Sequence, residues 1–243
     1  LLTSLAVVFI RPALRLILAL TGALLNVLLS GYLLWVFDSE APGIHLAEAV
    51  EWLGLNYTVG VDGTNILFVP LTTILGLLAL VYTTITRHRD DRLFIACLLL
   101  YQGILIGAFV ALNTLQFWFW CALEIVPVML LTVFAGTGTQ RNRVIRAVLQ
   151  YWSSGLMMSL LGFLLLTLGL LDSGLPLSFD WLTLKHHTLA IPNEALIFML
   201  LLFGFGIRAP LFPFHAWLPL LAEHGTAASA AIFICGLKLG IYA

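Results

Sequence analysis

Charge is what this 243-residue chain has least of: Asp, Glu, Lys and Arg together make up 9% of it. A soluble domain carries about a quarter charged residues, so an ordinary globular fold is excluded. No basic run is present to grip nucleic acid, and a net charge of −1 favours no charged partner. Neither a Walker loop nor a glycine-rich dinucleotide fingerprint occurs, which excludes nucleotide binding by those routes. Cysteine is limited to Cys97, Cys121 and Cys235, far apart and each in an apolar segment. That spacing excludes a disulfide framework, a metal site and an iron–sulfur cluster, and leaves three small buried hydrophobes. A basic n-region is also missing from the N-terminus, so the first apolar run is not a signal peptide.

What is there is hydrocarbon: 61% of the residues are hydrophobic. With about 20 apolar residues per span, the sequence predicts an all-α, polytopic transmembrane protein. A partial helix is expected at 1–10, then helices near 13–37, 64–86, 92–112, 114–135 and 144–171, a long segment at 193–222, and a last one at 225–243. Ten residues rise only about 15 Å, half a bilayer. The opening run, and the closing run CGLKLGIYA, therefore predict a fragment cut at both ends.

The connections alternate in character. Arg11 and Arg15, then Arg87, Arg89 and Arg92, then Arg141, Arg143 and Arg146 lie in the first, third and fifth. Asp38, Glu40, Glu48, Glu51 and Asp62 lie in the second, and Asp172, Asp180 and Glu194 in the sixth, with Lys185 the one basic residue there. The positive-inside rule puts the arginine loops in the cytoplasm or a plastid stroma. Asp62, in VGVDGT, suits a turn and the N-terminal cap of the following helix better than proton transfer.

The stretch GFGIRAPLFPFHAWLP (204–219) sets an arginine, a histidine and Pro210, Pro213 and Pro219 inside an apolar segment. Proline removes a backbone donor, which is tolerated at membrane depth only against protein or a wet cavity. Two half-helices, about 193–208 and 213–222, are therefore expected, joined by an irregular turn. Glu124, Arg208 and Lys238 are the charges well inside apolar spans, and buried charge there is costly enough to mark a function. Burial moves amines and carboxylates toward neutral pKa values, which suits proton exchange, whereas arginine stays protonated and acts as a fixed charge. The proton-path candidates are thus Glu124, Arg208, His215, Lys238 and His224. Their structural alternatives are a static Glu124–Arg208 pair, a His215 that bonds a freed carbonyl, and a His224 that caps an exposed helix end. His186 and His187 read as surface residues, and QFWFW (116–120) as packing or lipid-facing aromatics.

GLNYTVGVDG (54–63), EIVPVMLL (124–131), RAPLFPFHAWLP (208–219) and GLKLGIYA (236–243) together resemble the antiporter-like membrane subunits of respiratory complex I and its relatives. The resemblance runs over essentially the whole chain and is nearest the chain 4 (NdhD) branch of NAD(P)H–quinone oxidoreductase, the cyanobacterial and chloroplast type. It implies fourteen helices with two inverted five-helix repeats. Residues 1–91 would supply helices 1–3, residues 92–243 the first repeat (helices 4–8, helix 7 broken), and the second repeat would be absent. It implies a proton-translocating subunit of an NAD(P)H- or ferredoxin-driven plastoquinone oxidoreductase in a thylakoid membrane. No cofactor is implied in this chain, since plastoquinone, iron–sulfur clusters and electron donor belong to other subunits. The implied partners are the other membrane subunits and lipids.

In that family a helix-5 glutamate, a helix-7 lysine and a helix-8 lysine form the central path. Lys238 matches the last, and His215 matches the histidine of the H-x-W-L-P motif. Glu124 stands three residues before Pro127 instead of five, a rotation of about 200°, and Arg208 replaces the helix-7 lysine. The departures imply a specialised paralogue, namely the CO2-uptake form with a carbonic-anhydrase-like partner. The rival readings are a subunit of a multi-subunit cation/proton antiporter, and a structural scaffold with an inactive path.

Overall fold

The computed structural model describes residues 1–38, 40, 43–52, 55–85, 92–135, 141–172, 174–186, 193–224 and 236–242. The expected positions of Arg87, Arg89, His187, Cys235 and the start of the last helix lie outside them. Helices α1 (Leu2–Phe9) and α2 (Pro12–Val36) come first. Next are α3 (Phe68–Ile85), α4 (Arg92–Phe109), α5 (Thr114–Leu123), α6 (Ile125–Ala135) and α7 (Arg141–Asp172). After a short α8 (Trp181–His186) come α9 (Glu194–Arg208), a single 3-10 turn (Phe214–Ala216) and α10 (Trp217–His224). Residues 236–242 are again helical. Among the described residues five helical stretches are long and apolar enough to cross a membrane: Leu14–Val36, Phe68–Ile85, Arg92–Phe109, Thr114–Phe134 and Arg141–Leu171. The expected all-α membrane architecture stands.

Helix α4 is the axis of the bundle. Tyr101, Ile104, Leu105, Ala108 and Phe109 are fully buried, and α1, α3, α5 and α6 pack around it. Helix α2 lies outside, with Leu28 and Trp35 exposed, as a lipid-facing helix requires. The tightest crossing is between α7 and α9, where glycines remove the side chains. A Cβ on Gly204 would lie 2.8 Å from the Ser159 backbone nitrogen, and one on Gly155 would lie 2.7 Å from the Gly204 carbonyl oxygen. Small residues that let backbones approach are how membrane helices associate.

Three features depart from the expected helices. The acidic connection after α2 is a β-hairpin, β1 (His45–Trp52) against β2 (Leu55–Val61), antiparallel with an irregularity between His45 and Glu48. Tyr57, Thr58, Val59 and Val61 in β2 are residues that favour a pleated, half-buried strand. The helix expected over 114–135 is kinked at Glu124, because Pro127 has no N–H to give the Leu123 carbonyl and its ring crowds that turn. Arg15, placed in a loop by the sequence, lies inside α2. It is buried there, and its Nε donates to the Val7 carbonyl at 3.3 Å at the end of α1.

The hairpin also fixes which connections share an end of the bundle. Gly60 N donates to Val110 O (3.0 Å) and Leu112 N to Thr58 O (3.1 Å), while Thr114 N donates to Phe179 O (2.8 Å). The connections after α2, α4 and α7 therefore meet at one end. Asp62 works there as expected: its Oδ1 accepts from Thr64 N (2.9 Å) and Asn65 N (2.8 Å). Buried Asn65 then donates to Gly60 O (3.1 Å) and Phe109 O (2.9 Å), tying the turn to α4.

Candidate functional site

Glu124 sits where Pro127 breaks the α5–α6 ladder and is completely buried. With its shorter spacing to the proline, the side chain still faces the interior. The carboxylate is held at both oxygens. Tyr101, on α4, donates its phenol to Oε1 at 2.6 Å, and the Arg208 guanidinium forms an ion pair with Oε2 through Nη2.

Arg208 is the last residue of α9 and is 6% exposed. Pro210 and Pro213 follow it and stop the helix, so the guanidinium lies at the negative end of the α9 dipole, where a cation is favoured. Its Nη1 donates to the Cys121 carbonyl at 3.3 Å. The Trp152 ring lies 5.0 Å from the guanidinium carbon, within cation–π range. Trp217, the first residue of α10, meets Trp152 edge-on at 5.2 Å. Its Nε1 donates to the Ile207 carbonyl at 2.9 Å, satisfying one of the carbonyls a helix end leaves open. A buried pair offsets its desolvation only with such additional bonds, and here the phenol, a carbonyl, an aromatic face and a helix end supply them.

The helical residues 236–242 close over the pair. A Cβ on Gly236 would run into the Tyr101 hydroxyl and lie 2.7 Å from Glu124 Oε1. One on Gly240 would lie 2.6 Å from the Ala209 backbone nitrogen. Gly236 and Gly240, one turn apart, thus face the pair and the end of α9. Lys238, midway between them, points to the opposite side and is exposed. Among the described residues, then, this packing does not bring Lys238 to Glu124.

The two histidines also exchange places. His215, expected at the irregular turn, is there but exposed, its ring beside Phe212 at 5.9 Å. His224, expected as a candidate whose alternative was an exposed cap, is 2% exposed. Its Nε2 lies 3.3 Å from the Thr132 carbonyl and links α10 to α6. Pro213 and Pro219 are exposed and Pro210 is half-buried. Of the aromatics at 116–120, Phe117 is buried and Phe119 exposed, while Trp118 Nε1 donates to Leu156 O at 2.8 Å. Tyr101 escaped the sequence reading, since one tyrosine in an apolar helix carries no signal of a partner 23 residues away. As expected, Cys97 and Cys121 are buried. Among the described residues no cluster of His, Cys, Asp and Glu could hold a metal.

The site is thus a buried ion pair set at two helix breaks inside an apolar bundle. The chain belongs to the family described as NADH:quinone oxidoreductase/Mrp antiporter, TM, whose model matches residues 111–243. It is 30% identical over 239 residues to NADH-quinone oxidoreductase subunit M of Rickettsia conorii, covering 96% of this chain and 47% of that protein. It is 32% identical over 213 residues to NAD(P)H-quinone oxidoreductase chain 4 1 of Synechococcus sp. (strain JA-3-3Ab), covering 86% and 39%. Among solved structures, respiratory complex I from Thermus thermophilus with bound NADH contains a chain that superposes with a TM-score of 0.79 at 27% identity. That match covers 99% of this chain and 50% of the other. The chain thus spans about half the length or less of these relatives.

Proposed function

We propose that this chain is part of a proton-translocating membrane subunit of a complex I-type quinone oxidoreductase, in which it conducts protons and performs no redox chemistry. The observation that carries the reading is the Glu124–Arg208 pair, fully enclosed at two helix breaks. Arg208 does not release its proton, so its charge acts as a switch. While it holds Glu124, the carboxylate stays ionised; when the pair opens, Glu124 takes a proton. His224 and His215 on the broken span and Lys238 on the next helix then continue the path. Residues 92–243 constitute the first repeat in this reading, and plastoquinone, iron–sulfur clusters and the electron donor lie on other subunits.

The finer proposal is the photosynthetic branch in its CO2-uptake form, in a thylakoid membrane, with arginine-bearing loops toward the stroma and a carbonic-anhydrase-like partner. GLNYTVGVDG (54–63) and the altered positions Glu124 and Arg208 support it. Affinity capture of the native complex tests it: recovery of a carbonic-anhydrase-like subunit is expected, and its absence from an otherwise intact complex rejects this branch. Donor-driven proton uptake in membranes carrying the full-length subunit tests the main reading. Lys238→Ala is expected to abolish uptake in an assembled complex, and Arg208→Lys to change its rate.

A second reading, a scaffold with an inactive path, is favoured by one observation: both Glu124 oxygens are engaged and Lys238 faces away from them. Unchanged proton uptake in both variants would establish it.

A further inference from the structure

Beside Arg208, α5, α7 and α9 leave a small cavity lined by Cys121, Trp152, Gly155, Ser159, Gly204 and Arg208, among others. Its volume is about 10 Å³, room for about one water molecule. Two of its lining side chains carry donors that find no acceptor among the described residues, Arg208 Nε and Trp152 Nε1, and both side chains are more than nine-tenths buried. A donor left bare in so apolar a place costs as much as a lost hydrogen bond, so native interiors supply a partner. The partner must be an acceptor small enough for the space. The guanidinium charge is already matched by Glu124, which removes the need for an anion.

We propose that this cavity is a binding site for a single water molecule, which accepts from Trp152 Nε1–H and Arg208 Nε–H. Ser159 completes the site. Its hydroxyl donates to Leu156 O at 3.1 Å and keeps lone pairs free to accept from the water in turn. The guanidinium is then held on three sides by Glu124, the Cys121 carbonyl and the water. The site explains how an arginine, with five donors in a rigid fork, is accommodated at the end of α9. It depends on the α7–α9 glycine crossing, because side chains at Gly155 and Gly204 would occupy backbone space there. The water has no role in moving protons here, and the proposal stands whether or not the subunit pumps.

The test is a crystal structure of the intact complex grown from lipid, at a resolution that shows ordered water, with a parallel crystal soaked in bromide. One solvent peak within hydrogen-bond reach of both nitrogens, without anomalous signal from bromide, is expected. A bare cavity overturns the proposal, and so does a bromide peak, which would make the site a halide site. In Trp152→Phe, which keeps the ring and removes the donor, the peak should weaken or vanish while Arg208 keeps its contact with Glu124. A peak of unchanged occupancy in that variant would remove Trp152 from the site. Should the variant fail to assemble, the maps of the unaltered complex decide alone.

Discussion

At the scale of single residues, the chemistry rests on a carboxylate with no contact with solvent and a guanidinium at a helix end. Removing one partner of a buried pair strands the other charge, at a cost of about 3–5 kcal/mol. Arg208→Ala and Glu124→Ala are each expected to destabilise the protein by roughly that amount. The double variant should be much milder than their sum, and thermal unfolding of all three in detergent measures the coupling. Tyr101→Phe deletes one bond to an ionised acceptor, worth about 1.5–3 kcal/mol. Its informative readout is the melting temperature in detergent, which should fall below the parent's while Arg208 keeps its contact with Glu124. The pair was legible in the sequence, the rest of the site only in part. Glu124 and Arg208 stood out because charge is rare in apolar spans, but Tyr101 did not, because its role exists only through contact.

At the scale of elements, glycine and proline decide how helices meet. Gly204 and Gly31 are both helical, yet only the first is crossed by another backbone. Gly204→Ala puts a methyl 2.8 Å from the Ser159 nitrogen, and overpacking of this kind costs about 1–3 kcal/mol. Gly31→Ala meets nothing within 4 Å and should be neutral or stabilising, by up to about 1 kcal/mol. Melting temperatures of the two variants should therefore move apart, with Gly204→Ala falling. The break after Arg208 was readable because Pro210, Pro213 and Pro219 have a local effect on their own backbone. The hairpin was not, because the acidic residues of β1 sit in a segment whose strand character depends on β2 beside it.

At the scale of the whole molecule, the connections define two ends. Those after α2, α4 and α7 are hydrogen-bonded to one another at one end, so the start of α7, with Arg143, lies at the other. In oriented vesicles with Cys235 replaced by serine, Glu40→Cys and Arg143→Cys should react with an impermeant thiol reagent from opposite sides. Labelling of both from the same side would break the topology. Buried Cys97 and Cys121 supply no background.

The amino-acid sequence by itself determined the membrane class, the order and approximate extent of the helices, the broken span and the short list of buried charges. Each of these follows from local properties: hydrocarbon length, proline's missing donor and the rarity of charge. Only the tertiary structure decided direction. Glu124 is buried at the kink before Pro127, while the packing of Gly236 and Gly240 against the pair leaves Lys238 on the other face of its helix. The seating of α10 on α7, with His224 against the Thr132 carbonyl of α6, buries that histidine, while His215 is exposed. Which way a side chain points depends on which neighbour covers each helix face, and that neighbour lies far away in the chain.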